Sequence, residues 1–489
     1  MDNKKIGSAL NIDCDAIAYF MGKYNFDCSD LEAKAVEYFN QYLGKGLSDI
    51  LYNINNAVPC DFDNFWGNKY LRTEENGVAV DYKDNKWAEI HHKIFTETGV
   101  DPFAVWIGLC RKNGINPWLS FRMNDVHYSD LPTDHSEFFY KAKKNGWMLG
   151  LDIPDRWKGV PHEEWYPQCL DYSVPEVREY YLKYINFGLD RYDVYGIELD
   201  WQRTIWNFKN DDAENCKYMN VFMEELHKII TKYEEKYGHK IKVMARINID
   251  IDENILFGFD VREWSKHGWI DVVVPSPYWG NTDSNMPIAK WKKELEGTGV
   301  EVYPGFEGQT CHPVYVQTAD SLAGYTAMYL STGADKVYLY NLFHMPHLWN
   351  VCESLEAALA HTRRRYLVSP QNCAPMGVKP YIPLPIKLEA DETKSLTLKH
   401  GILKAEDSTI IYVGVNNAEN KPEVKYNGIS LVCEGESLNS HIGDKKTYPV
   451  LAYRVPADAV KDSLSGDISF TADKNVTVCY VELMNGKEN

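Results

Sequence analysis

Short runs of β-branched and aromatic residues recur along the first three quarters of the chain, and longer stretches with helical periodicity separate them. Strands that alternate with helices build a parallel sheet from βαβ units. The short runs predict eight strands: Ile6–Ile12, Asp49–Ile54, Asn116–Arg122, Tyr195–Trp201, Lys242–Asn248, Asp271–Pro277, Glu301–Phe306 and Lys336–Tyr340. The periodic stretches predict helices at Leu31–Tyr42, Trp87–Glu97, Pro102–Lys112, Val177–Arg191, Ala213–Tyr237 and Ser321–Ser331.

This alternation predicts a (β/α)8 TIM barrel, since eight units over roughly 360 residues fit that fold. A doubly wound open sheet is the alternative, but no G-x-G-x-x-G motif follows the first predicted strand. A long insertion after the third strand, residues 125–172, is rich in Trp, His, Pro and charge. In a barrel, that insertion lies at the C-terminal face, where barrel enzymes build their active sites.

The pattern changes from about Gly377, where Pro380, Pro383 and Pro385 form a linker-like stretch. The later runs Ser408–Val415, Ile429–Val432 and Asn475–Leu483 read as strands separated by turn residues. They predict an all-β sandwich of about 110 residues. The predicted division is therefore a catalytic barrel over residues 1–372 and a C-terminal β-sandwich over residues 373–489.

Composition narrows the class of protein. The 489 residues carry a formal net charge of -18, which opposes binding to nucleic-acid phosphates. The 11 cysteines are scattered without metal-ligand spacing and indicate free thiols in a reducing compartment. Neither a transmembrane run nor a signal peptide is visible, so we expect a cytoplasmic protein without a membrane partner. No motif predicts a metal or a cofactor, and the pattern carries no information on oligomeric state.

The predicted fourth strand carries two carboxylates. Glu198 and Asp200 are two residues apart, so both point to one face of the strand, while Ile197 and Leu199 point to the other. Burying two carboxylates is costly unless their face lines a polar cavity. This strand is therefore the first candidate for a functional site.

Polar and aromatic side chains also follow most of the other strands, and in a barrel these ends converge at one mouth. Tyr and Trp rings pack on sugars, and amides, imidazoles and guanidinium groups bind hydroxyls. The candidate sugar-stacking residues are Trp118, Trp201, Tyr278 and Trp279, and the candidate hydrogen-bonding residues are Asn124, His127, Arg246, Asn341 and His344. Arg122, Arg203 and Arg246 either pair with nearby acids or bind a substrate carboxylate.

Glycoside hydrolysis needs two carboxyl groups, one to protonate the leaving oxygen and one to attack the anomeric carbon or activate water. The candidates for these catalytic roles are Asp200, Glu198 and Glu307, the last of which ends the seventh strand. All three have structural alternatives, and for Asp200 the alternative is a purely structural role. Glu198 is also suited to a buried ion pair with Arg122 or Arg246, and Glu307 to an exposed turn.

Two segments resemble the family-10-like glycosyl hydrolases. Residues 101–122 (DPFAVWIGLCRKNGINPWLSFR) are similar to the helix and third strand of that barrel. Residues 170–180 (LDYSVPEVREY) and 192–200 (YDVYGIELD) are similar to its next helix and fourth strand. The resemblance covers residues 100–205 well and the rest of the barrel loosely. It implies a TIM-barrel protein of carbohydrate hydrolysis in which Asp200 is the fourth-strand acid.

Two further resemblances concern the same strand. Residues 195–202 are similar to the D-G-I-D-I-D-W-E motif of family-18 chitinases, but Gln202 stands where that family has its catalytic acid. The clan A hydrolases take the acid/base from strand four and the nucleophile from strand seven. That layout implies Glu198 or Asp200 with Glu307, although the Asn-Glu pair usual in clan A is absent.

Together these patterns predict a glycoside hydrolase that acts on a carbohydrate substrate from a pocket, in exo fashion. Two alternatives stay open. Gln202 favours a barrel that binds carbohydrate without catalysis. The three arginines favour a lyase or isomerase that acts on sugar acids.

Overall fold

A computed structural model describes residues 7–13, 16–54, 74–75, 78–79, 94, 98–126, 137–160, 162–210, 212–278, 281–310, 315–369, 383–443, 447–460 and 462–488. The predicted helix Trp87–Glu97 lies outside the described residues apart from residue 94. His127 and Trp279, two candidate site residues, also lie outside them.

A parallel sheet occupies the N-terminal part of the chain, and its strands lie close to their predicted positions. They are β1 (Ser8–Ile12), β2 (Leu47–Asn53), β3 (Asn116–Arg122), β4 (Gly196–Asp200), β5 (Lys242–Ile247), β6 (Val272–Pro275), β7 in two segments (Glu301–Val302 and Gly305–Phe306) and β8 (Tyr338–Leu339). Small hairpins pair Glu74–Glu75 with Val78–Ala79 and Gln309–Thr310 with Tyr315–Val316.

The sheet closes on itself through β7. The first segment of β7 pairs with β6, and the second segment pairs with β8, which in turn pairs with β1. Tyr303 donates its backbone N–H to the carbonyl of Val273 at 2.9 Å, and Tyr338 donates to the carbonyl of Pro304 at 3.0 Å. Since β7 has partners on both sides, the predicted barrel is confirmed and the open doubly wound sheet is wrong. Pro304 lacks an N–H and separates the two segments.

Helices connect the strands. They are α1 (Ala16–Lys23), α2 (Leu31–Phe39), α3 (Pro102–Lys112), α4 (Glu137–Asn145), α5 (Pro175–Arg191), α6 (Cys216–Tyr237), α7 (Val261–Lys266), α8 (Ile288–Glu294), α9 (Ala319–Ser331) and α10 (Leu355–Ala360). Short 3-10 helices lie at Asn40–Tyr42, Asp155–Trp157, Glu163–Gln168, Ala213–Asn215, Glu253–Ile255, Trp349–Cys352 and Ala457–Ala459. Helix α3 begins where predicted because Asp101 caps the N–H of Ala104 at 3.2 Å and Pro102 takes the first position.

Side-chain alternation along the strands separates two cores. Ile197 and Leu199 point outward and join the large core under the helices. Inside the barrel, a second apolar cluster consists of Ala9, Leu51, Trp118, Met244, Val272, Val274, Tyr303, Tyr338 and Tyr340. Polar side chains such as Asn11, Glu198 and Asp200 are buried in this interior as well.

The C-terminal part is a β-sandwich of antiparallel sheets, as predicted. Its strands are β9 (Arg363–Leu367), β10 (Ile386–Leu388), β11 (Thr393–Lys399), β12 (Ser408–Val415), β13 (Glu423–Tyr426), β14 (Ile429–Ser430), β15 (Val432–Glu436), β16 (Val450–Val455), β17 (Ser465–Thr471) and β18 (Val476–Gly486). One sheet has the order β9-β18-β12-β16-β15 with β10 added to β18, and the other has the order β11-β17-β13-β14.

The C-terminal sheet includes a strand that precedes the predicted boundary at residue 372. This strand is β9, which pairs with β18 from Arg363 opposite Gly486 to Leu367 opposite Glu482. The C-terminal sheet also packs tightly on helix α9. A Cβ on Gly324 would lie 2.0 Å from the carbonyl oxygen of Arg365, so this contact requires glycine. The barrel and the sandwich therefore share a close-packed interface along α9.

Candidate active site

Strand register brings three charged side chains to one level of the barrel. In the strand register, Arg122 of β3 lies beside Asp200 of β4, and Asp200 lies beside Arg246 of β5. All three side chains are buried. Arg246 donates from Nη1 to Oδ1 of Asp200 at 2.8 Å, which confirms a predicted pairing between an arginine and a strand-four acid.

Arg122 is committed elsewhere. It forms ion pairs with Asp13, which follows β1, and with Asp125 at 3.1 Å. Arg122 is buried, and these pairs with acids are one of the two roles predicted for it. The sequence analysis missed Asp13 and Asp125 as its partners. Their position in the sequence could have indicated this role, since each acid lies just beyond the carboxyl end of a strand.

The carboxylate of Asp200 is held at one oxygen. Oδ1 accepts hydrogen bonds from the backbone N–H groups of Gln202 at 3.0 Å and Arg203 at 3.1 Å, besides the bond from Arg246. Oδ2 is buried and has no hydrogen-bond partner among the described residues. These bonds fix the plane of the carboxylate and leave Oδ2 with unused capacity as an acceptor.

Glu198 lies deeper in the barrel, two residues before Asp200 on the same inward face. Its Oε2 accepts a hydrogen bond from Nδ2 of Asn11 at 2.9 Å, and Asn11 also donates to Ser120 at 3.2 Å. Burial, followed by the charge of Asp200, raises the pKa of Glu198 to about 7. The alternative of a direct ion pair with Arg122 or Arg246 is wrong, because Glu198 is hydrogen-bonded to a neutral amide instead.

Glu307 lies at the carboxyl end of β7 and is only 7% exposed, so it is not the exposed turn acid of the alternative interpretation. Burial raises the pKa of Glu307 to about 7. The opposing influences are weaker: the charge of Arg246, a hydrogen bond from Asn341 and the N–H of Gly308, which lies 3.2 Å from Oε1. Glu307 can therefore hold a proton near neutral pH.

A cavity of about 300 Å³ opens at the carboxyl ends of the strands. This volume lies at the lower end of the usual range for small-molecule sites. The lining residues are Gln202, Arg203, Arg246, Glu307, Gly308, Gln309, Val316, Tyr340, Asn341, His344 and Met345. Of the predicted site residues, the structure thus brings Arg203, Arg246, Glu307, Asn341 and His344 together.

Two aromatic side chains outside the predicted sugar-stacking set contact the arginines of this cavity. The guanidinium carbon of Arg246 lies 3.7 Å from the ring centroid of Tyr340, which follows β8. That of Arg203 lies 5.4 Å from the ring centroid of Trp165. Both distances are in the range of cation–π contacts. Trp165 belongs to the insertion expected at this face, and that signal was available in the sequence.

Trp118 is not a sugar-stacking residue. It lies near the amino end of β3, inside the barrel and far along the strand from the mouth. Its Nε1 donates to Oδ1 of Asp49 at 2.9 Å, and its ring contacts Tyr195 edge to face at a centroid distance of 5.3 Å. The side chain points inward as expected, but at the wrong end of the barrel.

Trp201 is also part of the core. Strand alternation places it on the face opposite to that of Asp200, under the helices. Its ring contacts those of Tyr172, Phe259 and Phe222 at centroid distances of 4.9, 5.2 and 5.9 Å. Stacking of Trp201 on a sugar is therefore wrong.

Asn124 and Tyr278 hold the loops at the mouth rather than facing the cavity. Asn124 donates to the carbonyls of Leu170 at 3.1 Å and Trp206 at 2.7 Å and accepts from the N–H of Leu170 at 3.0 Å. Tyr278 is buried in the large core, with its ring centroid 6.0 Å from that of Trp206. The predictions that they bind sugar are wrong, because their surroundings are protein.

The described part of the chain has neither a metal-binding group nor a membrane-spanning helix. Its His, Cys, Asp and Glu side chains form no group of three or more that could hold a metal ion. Within the same residues, no helix combines the length and the apolar character needed to cross a membrane.

Neither a protein-family model nor a curated protein matches the chain. Solved structures do resemble it. The cycloisomaltooligosaccharide glucanotransferase of Paenibacillus sp. has a TM-score of 0.34 and 9% identity, over 98% of this chain and 58% of that one. The chain thus spans little more than half of that enzyme.

Two other solved structures also resemble the chain. The PgaB glycoside hydrolase domain from Bordetella bronchiseptica has a TM-score of 0.40 and 11% identity, over 72% of this chain and 99% of that one. The GH36 alpha-galactosidase AgaB from Geobacillus stearothermophilus has a TM-score of 0.37 and 13% identity, over 96% of this chain and 56% of that one. At these identities the likeness concerns the fold alone. Membership of the family-10-like hydrolases stays a prediction.

Proposed function

We propose that the chain is a glycoside hydrolase whose reaction takes place in the cavity at the barrel mouth. The observation that carries this proposal is the meeting of Glu307 with Arg246, the ion-pair partner of Asp200, on the wall of one polar cavity. Two carboxyl groups in different electrostatic surroundings are what acid/base cleavage of a glycosidic bond requires.

Glu307 takes the role of the acid. Its burial raises its pKa to about 7, so that it holds a proton near neutral pH and can pass it to the leaving oxygen. Asp200 is the second carboxylate. Asp200 is buried behind Arg246, which lines the cavity. Its Oδ1 accepts three hydrogen bonds, and Oδ2, which has no partner among the described residues, is the atom left to attack the anomeric carbon or to take a proton from water.

Glu198 acts indirectly in this proposal. Like Asp200 it does not line the cavity, but it lies deeper on the strand and is hydrogen-bonded to Asn11 inside the barrel. It shares the inward face of β4 with Asp200, and, besides burial, the charge of Asp200 helps to raise the pKa of Glu198. A protonated Glu198 therefore spares the barrel a second buried negative charge beside Asp200.

The cavity suits one terminal sugar unit, which supports exo action. Its volume is about 300 Å³, and Arg246 and Tyr340, whose side chains are in contact, belong to its wall. Gln202, Gln309, Asn341 and His344 supply amide and imidazole groups for hydroxyls. A carbohydrate is the partner class that this lining favours.

Carbohydrate binding without catalysis is the second candidate function. Asp200 is completely buried, and the position of the chitinase acid is taken by Gln202, which donates to the carbonyl of Ser276 at 2.9 Å. The lyase or isomerase alternative is favoured by Arg203 and Arg246, which both line the cavity and can bind a sugar carboxylate.

The test is turnover of a panel of aryl glycosides and oligosaccharides by the natural chain and by Asp200→Asn, Glu307→Gln and the control Glu356→Gln on the exposed first turn of α10. Each active-site variant should lower kcat by about 10²–10⁴-fold, the range for loss of acid/base catalysis, while the control keeps full activity. Circular dichroism checks the fold. Full activity in either active-site variant contradicts that residue's role.

Other outcomes separate the alternatives. Glycan binding measured by calorimetry, without release of reducing ends from any member of the panel, favours the binding barrel. An unsaturated product that absorbs ultraviolet light, formed from a sugar acid, favours the lyase.

A further inference from the structure

The backbone of Glu307 is held by a single side chain. Strand β7 ends at Phe306, so the N–H and C=O of Glu307 lie beyond the strand ladder. The N–H of Glu307 donates to Oγ1 of Thr282 at 2.9 Å, and the same hydroxyl donates to the carbonyl of Glu307 at 3.0 Å. Thr282 thus replaces a neighbouring strand at the point where the sheet ends.

The Thr282 hydroxyl has no capacity to spare. A hydroxyl has one O–H donor and two lone pairs. The donor is used on the carbonyl of Glu307, and the lone pairs accept from Glu307 N–H and from Nε2 of Gln317 at 2.9 Å. Gln317 is fixed in turn by Ser321, whose hydroxyl donates to its Oε1 at 2.6 Å. All four residues are buried, so none of these bonds competes with bulk water.

The other side of Thr282 is attached to the C-terminal sheet. Its carbonyl accepts from the hydroxyl of Ser369 at 3.0 Å, and Ser369 lies two residues after strand β9. Ser369 and Ser284 also bond reciprocally, each backbone N–H donating to the other's hydroxyl, at 2.8 and 3.1 Å. Buried hydrogen bonds to the carbonyl and to the hydroxyl of Thr282 therefore link Ser369, just beyond strand β9, to the backbone of Glu307.

We propose that Thr282 is a positioning residue for the Glu307 carboxyl group, and that the C-terminal sheet takes part in the site through Ser369. The inference rests on the proposed function, because it assumes that Glu307 transfers a proton. A carboxyl group follows its backbone, and displacement by about 1 Å can cost about 10²-fold in rate. The branched side chain of threonine restricts χ1 and so keeps the hydroxyl in the bridging position.

The decisive variant is Thr282→Val, which keeps the shape of the side chain and removes the hydroxyl. It leaves the N–H and C=O of Glu307 and the amide of Gln317 without that partner. Thr282→Ser is the conservative variant, since it retains the hydroxyl. Thr326→Val on helix α9 is the matched control, an equally buried threonine outside the hydrogen bonds around Thr282. Ser369→Ala tests the contribution of the C-terminal sheet.

Two readouts are needed: kcat and KM on an active glycoside, and the titration of the Glu307 carboxyl group by infrared difference spectroscopy against Glu307→Gln. For Thr282→Val we expect kcat to fall about 10–100-fold, with KM within about threefold, and the carboxyl titration to shift. Thr282→Ser should stay within about threefold of the natural chain and Thr326→Val should match it. Ser369→Ala should give an intermediate loss of about threefold to tenfold and a smaller shift.

The outcomes distinguish this inference from the proposed function. If Glu307→Gln is inactive while Thr282→Val keeps natural turnover and titration, the positioning role is overturned and the proposed function stands. If no glycoside is cleaved, the titration still decides, because an unchanged Glu307 signal in Thr282→Val overturns the role. Should Thr282→Val fail to fold, Ser369→Ala decides by the same two readouts, and no change in either overturns the inference.

Discussion

Arg246 and Asp200 face each other on adjacent strands and form a buried ion pair, with Nη1 2.8 Å from Oδ1. The ring of Tyr340 covers the guanidinium group at 3.7 Å. Both charged groups lose their hydration when the chain folds. The attraction between them has to offset the free-energy cost of that loss. Removal of one partner leaves an uncompensated buried charge.

Arg246→Gln should lower the free energy of unfolding by about 3–5 kcal/mol, because Asp200 then stays buried without its cation. The double variant Arg246→Gln with Asp200→Asn should recover much of this loss. Urea unfolding of the four combinations measures the coupling. Arg262→Gln, which breaks partly exposed ion pairs with Asp252 and Glu294, serves as the control and should cost about 1 kcal/mol or less. If the effects of the Arg246 and Asp200 changes on the free energy of unfolding are additive, the two side chains are not energetically coupled.

Glu198→Gln should stabilise the chain at neutral and higher pH. The pKa of Glu198 is raised from its ordinary 4.5 to about 7, so folding takes up a proton between these values. The contribution of Glu198 to the free energy of unfolding is therefore fully present below about pH 4.5 and is lost as the pH rises through about 7. The amide of the variant does not titrate, so the variant does not lose stability in this way. The gain at pH 8 should be about 3 kcal/mol. Urea unfolding from pH 4 to 8 measures it, and equal slopes for both chains would contradict a raised pKa at Glu198.

The pH profile of kcat/KM should fall above about pH 7, where the Glu307 acid, whose pKa is about 7, loses its proton. Asn341→Gly removes a hydrogen bond that favours the charged carboxylate, so the pKa of Glu307 rises and the alkaline limb moves to higher pH. Glycine is the appropriate replacement because Asn341 has a φ of 54°. A limb that stays in place would show that another group controls it.

Trp118→Phe and Trp201→Phe should change stability and leave sugar affinity as it is. Trp118→Phe deprives buried Asp49 of an N–H donor 2.9 Å away and should cost about 1–3 kcal/mol of unfolding free energy. Trp201→Phe loses contacts with the rings of Tyr172 and Phe259 in the core. Thermal unfolding measures the change in stability, and calorimetric glycan titration measures the affinity. A weaker affinity in a fully folded variant would show that this tryptophan takes part in sugar binding.

The sequence predicted elements well where local signals agree. Strand β3 and helix α3 begin and end at the predicted residues, because Asp101 and Pro102 define the start of the helix. Strand β7 was predicted as one run, but Pro304 divides it into two pairing segments. The membership of β9 in the C-terminal sheet was not predicted, because its pairing with β18 joins residues more than a hundred positions apart.

The same alternation rule explains one success and one error at the site. It placed Glu198 and Asp200 inside the barrel, and it also places Trp201 outside, so that error was avoidable from the sequence. Trp118 also points inward as the rule requires, but its height, that is, its position along the barrel axis, places it away from the mouth. Height depends on how strands are staggered, and this stagger is a property of the closed sheet.

The sequence by itself determined the alternation of strands and helices, the inward face of the fourth strand and the change to an all-β pattern, since all three follow from periodicity along the chain. Only the tertiary structure decided which charged groups meet. The pairs Arg246–Asp200, Arg122–Asp13 and Thr282–Glu307 each join separate segments, and barrel closure alone brings those segments together. Burial, which raises the pKa of Glu307, arises from the same closure, because a carboxyl group loses its hydration only when distant parts of the chain surround it.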